Sequence, residues 1–238
     1  MSKYRAVIFD LGGTLMASTL MPVIVASARR VADAIAAPPE EFTRRWVQTY
    51  EAVARGACTT VRANIVEVCR QLGMQPTRKV LDAAATSALK ESRRRVGHAR
   101  PGAIEVLSSL KSRGLKTGLL TSCGPDVPEV WLDTPYARFI DVPVFSCLEG
   151  VNKEDPRLFW LTAHRLRTTP EECVYVADGY RGELANATML GMRAVQLSVS
   201  GEGDKGKSHD LWDGPVISSL LDVLTLLRKG RQEGRSSS

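Results

Sequence analysis

Hydrophobic residues recur along this chain with two different periods, and the change of period divides the chain into three parts. Residues 4–9 form a short β-rich run that ends at Asp10, and the next five residues, LGGTL, supply glycines for a sharp turn. Between residues 15 and 100 the apolar positions instead recur at helical spacing, without a comparable strand. The pattern therefore predicts a strand and a turn followed by a helical insertion.

The helical insertion contains about four predicted helices. One apolar stripe runs from Leu20 to Ile35, and another runs from Val61 to Leu72. Proline and glycine separate the helices, at residues 38–39, at residue 56 and at residues 73–76. These breaks predict a small all-α bundle.

After residue 100, helices alternate with short apolar strands. The predicted elements are, in order, a helix at 103–112, strands at 115–122 and 142–147, a helix at 155–166, a strand at 173–178, a helix at 183–191, a strand at 193–198 and a last helix at 216–227. Repeated βα units with buried strands imply an α/β fold, in which a parallel sheet carries helices on both faces.

Three residues with polar side chains stand at the ends of predicted strands. Asp10 follows the first strand, Thr121 lies near the end of the second, and Asp178 ends the strand at 173–178. Ligands of an open parallel sheet bind at the carboxyl ends of its strands. The three segments therefore point to one site.

Composition and charge narrow the range of partners. Of the 238 residues, 44% are hydrophobic and 24% are charged, which excludes wholesale disorder and a membrane bundle. The formal net charge is +6, but residues 228–238 contain four basic residues and one acidic residue, which accounts for +3. Because only +3 remains on the rest of the chain, we expect no nucleic-acid partner.

The cysteines and the first residues bear on the compartment. The five cysteines are an odd number and form no C-x-x-C pair, which predicts reduced thiols and no zinc site. The opening MSKYR leads directly into VIFDL, an apolar run too short for the core of a signal peptide. We therefore expect a cytoplasmic protein with no membrane partner. The sequence does not indicate an oligomeric state.

The segment around Asp10 has the residue types of a phosphate site. A carboxylate at a strand end can act as a nucleophile. The backbone N–H groups of Leu11, Gly12 and Gly13 are expected to bind an anionic substrate, because glycine lets a ligand approach the backbone closely.

Two further segments carry groups that suit a phosphate. Thr121 can donate a hydrogen bond to a phosphate oxygen, and Ser122 beside it is a candidate substrate ligand. Lys153 supplies a positive charge that stabilises a phosphoryl group as its charge redistributes in the transition state. Taken singly, neither Thr121 nor Lys153 would indicate a site.

Asp178 and Glu183 are candidate metal ligands. They stand five residues apart across a glycine-containing turn that leads into a predicted helix. Carboxylate oxygens are the hard ligands that Mg²⁺ prefers. The alternative is an acidic pair that only stabilises the positive N-terminal end of the helix.

Four segments together carry a family resemblance. FDLGGTL, the TS pair at 121–122, Lys153 in NKEDP, and ADGYRGELANATMLGM resemble, in order and spacing, the four motifs of the haloacid dehalogenase-like hydrolase superfamily. The helical insertion is similar to the small helical cap of that superfamily. The resemblance implies a Rossmann-like three-layer core at residues 1–15 and 99–228 and an all-α helical-bundle cap at 16–98. Residues 229–238 are predicted to be a disordered tail.

The resemblance also implies a mechanism. Asp10 would attack phosphorus and form an aspartyl-phosphate, which water would then hydrolyse to release phosphate. Mg²⁺ would be held by Asp10, the backbone carbonyl of Gly12, Asp178 and Glu183. The substrate would be a small phosphorylated metabolite, and Arg62 in the cap is a candidate contact for a second anionic or hydroxyl group of it.

The sequence departs from the family pattern at Gly12. Phosphatases of the superfamily usually carry a second aspartate there, which protonates the leaving oxygen and then activates water. General acid–base catalysis is worth about 10²–10⁴-fold in rate. Another acid could replace it, with His98 and Glu149 as candidates, or the substrate could have a good leaving group, or the protein could turn over weakly.

Two alternatives to a phosphatase follow from this departure. One is a binding or regulatory protein that keeps the fold and the metal site with little turnover. The other is a 2-haloacid dehalogenase, because halide needs no proton to leave. By resemblance, dehalogenases lack the aspartate that corresponds to Asp178, so the presence of Asp178 with Glu183 disfavours that chemistry.

Residues 201–208, GEGDKGKS, match the phosphate-binding expression G-x-x-x-x-G-K-[ST]. A phosphate-binding loop of that type opens a helix, whereas Gly214 and Pro215 follow too soon for one here. We interpret this segment as a polar loop.

Overall fold

The structure is a computed structural model, and it describes residues 3–18, 21–199 and 212–233. The segment 201–208 with the phosphate-loop expression lies outside these residues, as do residues 234–238 of the predicted tail.

One parallel sheet of six strands forms the centre of the described chain, with the strand order β3-β2-β1-β4-β5-β6. The strands are β1 (Ala6–Phe9), β2 (Lys116–Thr121), β3 (Val142–Phe145), β4 (Cys173–Ala177), β5 (Arg193–Leu197) and β6 (Val216–Ile217). Every neighbouring pair is parallel. The prediction of a parallel α/β core is confirmed.

Ten α-helices accompany these strands within the described residues. They are α1 (Met21–Ala34), α2 (Pro39–Ala54), α3 (Val61–Gln71), α4 (Arg78–Val96), α5 (Ala103–Ser112), α6 (Asp126–Val130), α7 (Ser146–Glu149), α8 (Arg157–Arg165), α9 (Glu183–Met189) and α10 (Asp222–Glu233). Helices α1–α4 all lie between β1 and β2, so they form the insertion that the helical periodicity predicts.

Alternate residues of strands β1–β5 pack into two different hydrophobic clusters. Val7 and Phe9 of β1 join a cluster with α5 and α10, whereas Ala6 and Ile8 join a second cluster with α8 and α9. Because successive side chains of a strand point to opposite faces, helices cover both faces of the sheet. This arrangement is the three-layer core that the sequence predicts.

The inserted helices bury a third hydrophobic cluster of their own. Its buried members lie between Val31 and Ala85 and include Phe42, Ile65 and Leu81. N-capping residues in the sequence mark where some of these helices begin. Thr60 and Thr77, for example, accept hydrogen bonds from backbone N–H groups in the first turns of α3 and α4. Helices α1–α4 therefore pack as a bundle beside the sheet.

Three predicted segments differ most clearly from the observed elements. The strand predicted at 142–147 ends at Phe145, because Ser146 begins the short helix α7. The last predicted helix, at 216–227, instead contains strand β6 and the later helix α10. Helix α10 ends at Glu233, so residues 229–233 are helical where the sequence predicts disorder.

Among the described residues, no helix combines the length and the apolar character that crossing a membrane would require.

Candidate active site

The carboxyl ends of two adjacent strands bring acidic residues together. Asp10 directly follows β1, and Asp178 directly follows β4, which pairs with β1. Glu183 begins α9 a few residues later. All three side chains are buried, and each offers a carboxylate oxygen within 4.8 Å of the others. This grouping is the site that the predicted strand ends point to.

Lys153 enters this cluster from the loop before α8. Its Nζ lies 2.5 Å from Oδ1 of Asp10 and also donates to Oε2 of Glu183. The loop is fixed at the same residue, because the N–H of Lys153 donates to Oγ of Ser122 at 3.1 Å and its carbonyl accepts from Asn186 at 2.9 Å. Ser122 therefore orients Lys153 in this structure.

Both carboxylate oxygens of Glu183 accept hydrogen bonds from neighbouring residues. Its Oε1 accepts from the N–H groups of Gly179 and Tyr180, at 3.1 and 3.0 Å. Its Oε2 accepts from the hydroxyl of Tyr175 at 2.6 Å as well as from Lys153. Both oxygens are thus already engaged, which fixes the turn between β4 and α9 around Glu183.

Burial and charge shift the titration of this cluster. Burial raises the pKa of the Asp10 carboxyl from its ordinary 3.8 to about 7; the ammonium of Lys153 opposes the shift, and the carboxylates of Glu183 and Asp178 add to it. Burial alone would lower the pKa of Lys153, but Asp10 and Glu183 outweigh it and raise the pKa above its ordinary value. Lys153 therefore stays positively charged at neutral pH.

The glycines after Asp10 differ in their surroundings. Gly13 has a φ of +87°, and a Cβ placed on it would overlap the carboxylate of Asp178. Gly12 has a φ outside the left-handed region, and a Cβ placed on it would meet nothing within 4 Å. The missing side chain at Gly12 thus leaves open space two residues after Asp10.

The hydrogen bonds of the turn after Asp10 determine which backbone N–H groups are available to bind a ligand. The N–H of Gly13 donates to the carbonyl of Met16 at 2.9 Å, so it is already engaged. Within the described residues, the N–H groups of Leu11 and Gly12 make no hydrogen bond to the protein. Only these two of the three amides expected from the sequence are therefore available to an anion.

Thr121 ends β2 beside β1 and is buried at this edge of the sheet. In the described structure its hydroxyl has no hydrogen-bond partner, which leaves it able to donate to a ligand.

The structure does not bring Arg62 to this cluster. Its guanidinium pairs with Asp82 at 2.6 Å, within the helical bundle. It lines a surface depression that is formed entirely by residues between Thr49 and Gln71. Arg62 therefore has its charge partner inside the bundle.

The two candidate replacements for the general acid have surroundings outside the acidic cluster. Glu149 forms a two-bond ion pair with Arg165 of α8, with the second bond at 2.9 Å. His98 is exposed in the segment between α4 and α5. Neither side chain forms a hydrogen bond or an ion pair with Asp10 among the described residues.

Several residues that support the site were not singled out from the sequence. Tyr175 looks like any core residue of a buried strand, and Asn186 looks like a polar residue of a surface helix. Asn152 precedes Lys153, but adjacency alone gave it no role. Glu51 of α2 contacts both Asn152 and Arg181, and nothing in a helical pattern distinguishes it from other surface glutamates.

The donor set of the cluster suits a divalent cation. Asp10, Asp178 and Glu183 offer hard carboxylate oxygens in a buried place, and such oxygens are what Mg²⁺ prefers over softer ligands. Lys153 contacts two of these carboxylates, so a cation would bind beside an ammonium group and not in a purely acidic cavity.

Comparison with known proteins gives relatives for most of the chain. A model of the haloacid dehalogenase-like hydrolase family matches residues 4–188. Over 205 residues, the chain is 29% identical to acyl-CoA dehydrogenase family member 10 of Mus musculus, which covers 82% of this chain and 18% of that protein. Over 144 residues, it is 31% identical to glyceraldehyde 3-phosphate phosphatase of Methanopyrus kandleri, which covers 60% and 58%. The chain thus spans less than two thirds of either relative.

The fold has close matches among solved structures. The 2-haloacid dehalogenase of Pseudomonas syringae pv. Tomato DC3000 superposes with a TM-score of 0.69 at 19% identity, over 95% of this chain and 99% of that one. At this identity the match establishes the fold alone. With the family model spanning both the strand-end acids and the helical insertion, the chain belongs to the haloacid dehalogenase-like hydrolase family.

Proposed function

We propose that this protein is a Mg²⁺-dependent phosphomonoester hydrolase that acts on a small phosphorylated metabolite. The observation that carries the proposal is the buried contact between Asp10 and Lys153 beside Asp178 and Glu183. This arrangement pairs a carboxylate nucleophile with the positive charge that a phosphoryl group needs. The similarity to a protein named as a glyceraldehyde 3-phosphate phosphatase supports the same chemistry.

Asp10 is the proposed nucleophile. Its carboxylate oxygen attacks phosphorus while the bond from phosphorus to the ester oxygen breaks, and the departing oxygen takes a proton from water. Water then attacks the aspartyl-phosphate, releases inorganic phosphate and regenerates Asp10. Two easier steps replace one difficult displacement.

The remaining roles follow from what each group can donate. Lys153 offsets charge on the phosphoryl oxygens, Thr121 donates its hydroxyl to one of them, and the amides of Leu11 and Gly12 bind others. Ser122, a substrate ligand in the sequence-based prediction, is assigned instead to holding Lys153 through its hydrogen bond. Gly13 is assigned to making room for Asp178 and not to binding phosphate.

Asp10 and Asp178, with the backbone carbonyl of Gly12, are the proposed direct ligands of Mg²⁺. Glu183 belongs to the same set, but its existing hydrogen bonds favour a role in orienting the loop and the other ligands. When bound, Mg²⁺ supplies positive charge that offsets the negative charge of a phosphate ester.

Gly12 bears on the substrate class. Among the described residues, the open space above Gly12 holds no acid that could protonate a leaving oxygen, and neither His98 nor Glu149 forms a hydrogen bond with Asp10. We therefore favour substrates whose leaving oxygen is stable without a proton, such as acyl or anomeric phosphates.

Residues 16–98 are the proposed cap, and residues 1–15 with 99–228 are the proposed catalytic core.

Release of phosphate from p-nitrophenyl phosphate tests the proposal, because this leaving group needs no acid. We expect turnover with Mg²⁺, none with a chelator, and a loss of at least about 100-fold in Asp10→Asn. The matched control is Asp33→Asn, an exposed aspartate of α1, which should leave the rate unchanged. Turnover that survives Asp10→Asn would exclude this nucleophile.

The same experiment separates the two alternatives that Gly12 raises. Mg²⁺ binding without turnover on any of a broad panel of phosphate esters would indicate a binding or regulatory protein. Halide release from a 2-haloacid in the presence of chelator would indicate a dehalogenase.

A further inference from the structure

One carboxylate of the helical bundle contacts two separate loops of the active site. Glu51 lies near the end of α2, and each of its two oxygens accepts a hydrogen bond from a different loop of the core. We propose that Glu51 is a positioning residue, which holds the loop of Lys153 and the loop of Asp178 and Glu183 in the geometry that the reaction needs. This inference rests on the proposed function of the site.

The first contact reaches the loop that carries Lys153. Oε2 of Glu51 accepts from Nδ2 of Asn152 at 3.2 Å, and Asn152 immediately precedes Lys153. Asn152 is buried, and its Oδ1 has no hydrogen-bond partner among the described residues. Because Glu51 is the hydrogen-bond partner of this buried amide among the described residues, removing Glu51 would leave the amide group of Asn152 unsatisfied.

The second contact reaches the loop between β4 and α9. Oε1 of Glu51 accepts from Arg181 at 2.5 Å, and Arg181 lies between Asp178 and Glu183. The backbone of Arg181 has a φ of 54°, a conformation that non-glycine residues adopt only when their surroundings hold them there. The ion pair with Glu51 is one of the contacts that hold it.

Neighbouring contacts fix the end of α2 against the same loops. Arg181 also pairs with Glu154 at 3.3 Å, and Glu154 pairs with Arg55 of the bundle at 3.2 Å. Behind them, the buried hydroxyl of Ser146 donates to the carbonyl of Ala54 at 2.7 Å. Glu51 is therefore presented to the two loops from a helix end that is itself anchored.

The effect on the reaction follows from where the two loops meet. Nζ of Lys153 contacts Asp10 and Glu183 at once, so the loops must keep their relative position for both contacts to persist. A displacement of about 1 Å in a catalytic group can cost about 100-fold in rate. Loss of Glu51 should therefore reduce kcat more than it raises KM for a small substrate.

The experiment compares Glu51→Ala with Glu41→Ala. Glu41 lies in the same helix, but its ion pairs are with Arg44 and Arg45 inside α2, so it is a matched control. With p-nitrophenyl phosphate and Mg²⁺, we expect Glu51→Ala to lower kcat about tenfold or more, with KM changed less than about threefold. Glu41→Ala should match the wild type.

Hydrogen–deuterium exchange supplies a readout that does not depend on turnover. Glu51→Ala should speed exchange of residues 150–156 and 178–183, and Glu41→Ala should not. Glu51→Gln keeps an acceptor oxygen but loses the charge, so it should recover part of the rate. Because Gln preserves size and helix propensity, it also tests the idea if the alanine variant folds poorly.

A double-mutant cycle tests whether Glu51 acts through Arg181. If it does, Glu51→Ala combined with Arg181→Ala should cost less than the product of the two single losses in kcat. Additive losses, or kcat and exchange of Glu51→Ala equal to those of Glu41→Ala, would overturn the proposal. If the wild type hydrolyses no phosphate ester, the proposed function fails, and exchange in the two loops still decides whether Glu51 holds them.

Discussion

Gly13 and Asp178 approach each other so closely that no side chain fits at position 13. A Cβ on Gly13 would overlap the carboxylate of Asp178, and the φ of +87° at Gly13 is itself costly for any other residue. The turn after β1 and the residue after β4 are thereby brought together across the sheet edge. Because Gly13 has no side chain, Asp178, a proposed metal ligand, can lie against the turn that follows β1.

This contact predicts that alanine is harmful at Gly13 and tolerated at the adjacent Gly12. Gly13→Ala should destabilise the fold by at least about 1–2 kcal/mol, from the left-handed backbone alone. It should also displace Asp178 and weaken Mg²⁺ binding. Gly12→Ala should change neither property by much, because its Cβ meets open space. Thermal unfolding and calorimetric titration with Mg²⁺ measure both, and equal tolerance at the two positions would contradict this account.

An acid added at position 12 should change the substrate range. The open space above Gly12 accommodates a side chain, and its backbone does not require glycine. Gly12→Asp should raise turnover of alkyl phosphates, whose leaving oxygen needs a proton, by about 10–100-fold. It should leave p-nitrophenyl phosphate nearly unchanged, which makes that substrate the internal control. Unchanged rates on alkyl phosphates would show that another group already supplies the proton.

Lys153 should stabilise the folded protein in addition to its proposed role in the reaction. Lys153→Met would leave the buried carboxylates of Asp10 and Glu183 without the ammonium they both contact. Breaking a buried ion pair in this way costs about 3–5 kcal/mol. We expect that loss in chelator, with partial recovery when Mg²⁺ is added, in urea unfolding curves. Lys79→Met, at an exposed lysine of α4, is the control.

Much of this architecture is predictable because its signals are local. The period of apolar residues gives the inserted helices, and a strand followed by Asp10 or Asp178 gives the sheet edge where ligands bind. Strand β6 and helices α6 and α7 are too short to have a period, so they were not predicted.

Contacts between distant segments could not be predicted in the same way. Glu51 and Glu41 look alike in the sequence of α2, yet one reaches the core loops and the other pairs within its helix. Arg62 looked suited to a substrate contact, but Asp82, twenty residues later, neutralises it inside the bundle. Such outcomes depend on how the helices dock, and that is set by packing over the whole molecule.

Asp141 should make stability depend on pH in the acidic range. Burial opposes ionisation of Asp141, but hydrogen bonds from Lys111 and Thr117 outweigh it and lower its pKa below the ordinary 3.8. A lowered folded-state pKa adds stability above the unfolded value and loses it as pH falls through the folded value. Because Asp141 is exposed and solvent screens its ion pair with Lys111, Asp141→Asn should cost about 1 kcal/mol or less at neutral pH. Urea unfolding should show this difference shrinking below about pH 4; a gap that stays constant would contradict the assignment.

Mg²⁺ binding should release a proton from Asp10 in weakly acidic solution. In the metal-free protein burial raises the pKa of Asp10 to about 7, whereas a metal ligand must be deprotonated. Below that pH the cation has to displace the proton, so affinity should fall by up to about tenfold per pH unit. Calorimetry in buffers of different ionisation enthalpy should detect close to one proton at about pH 6 and almost none at about pH 8.5. No release at the lower pH would mean that Asp10 is ionised before the cation binds, and that Lys153 outweighs burial there.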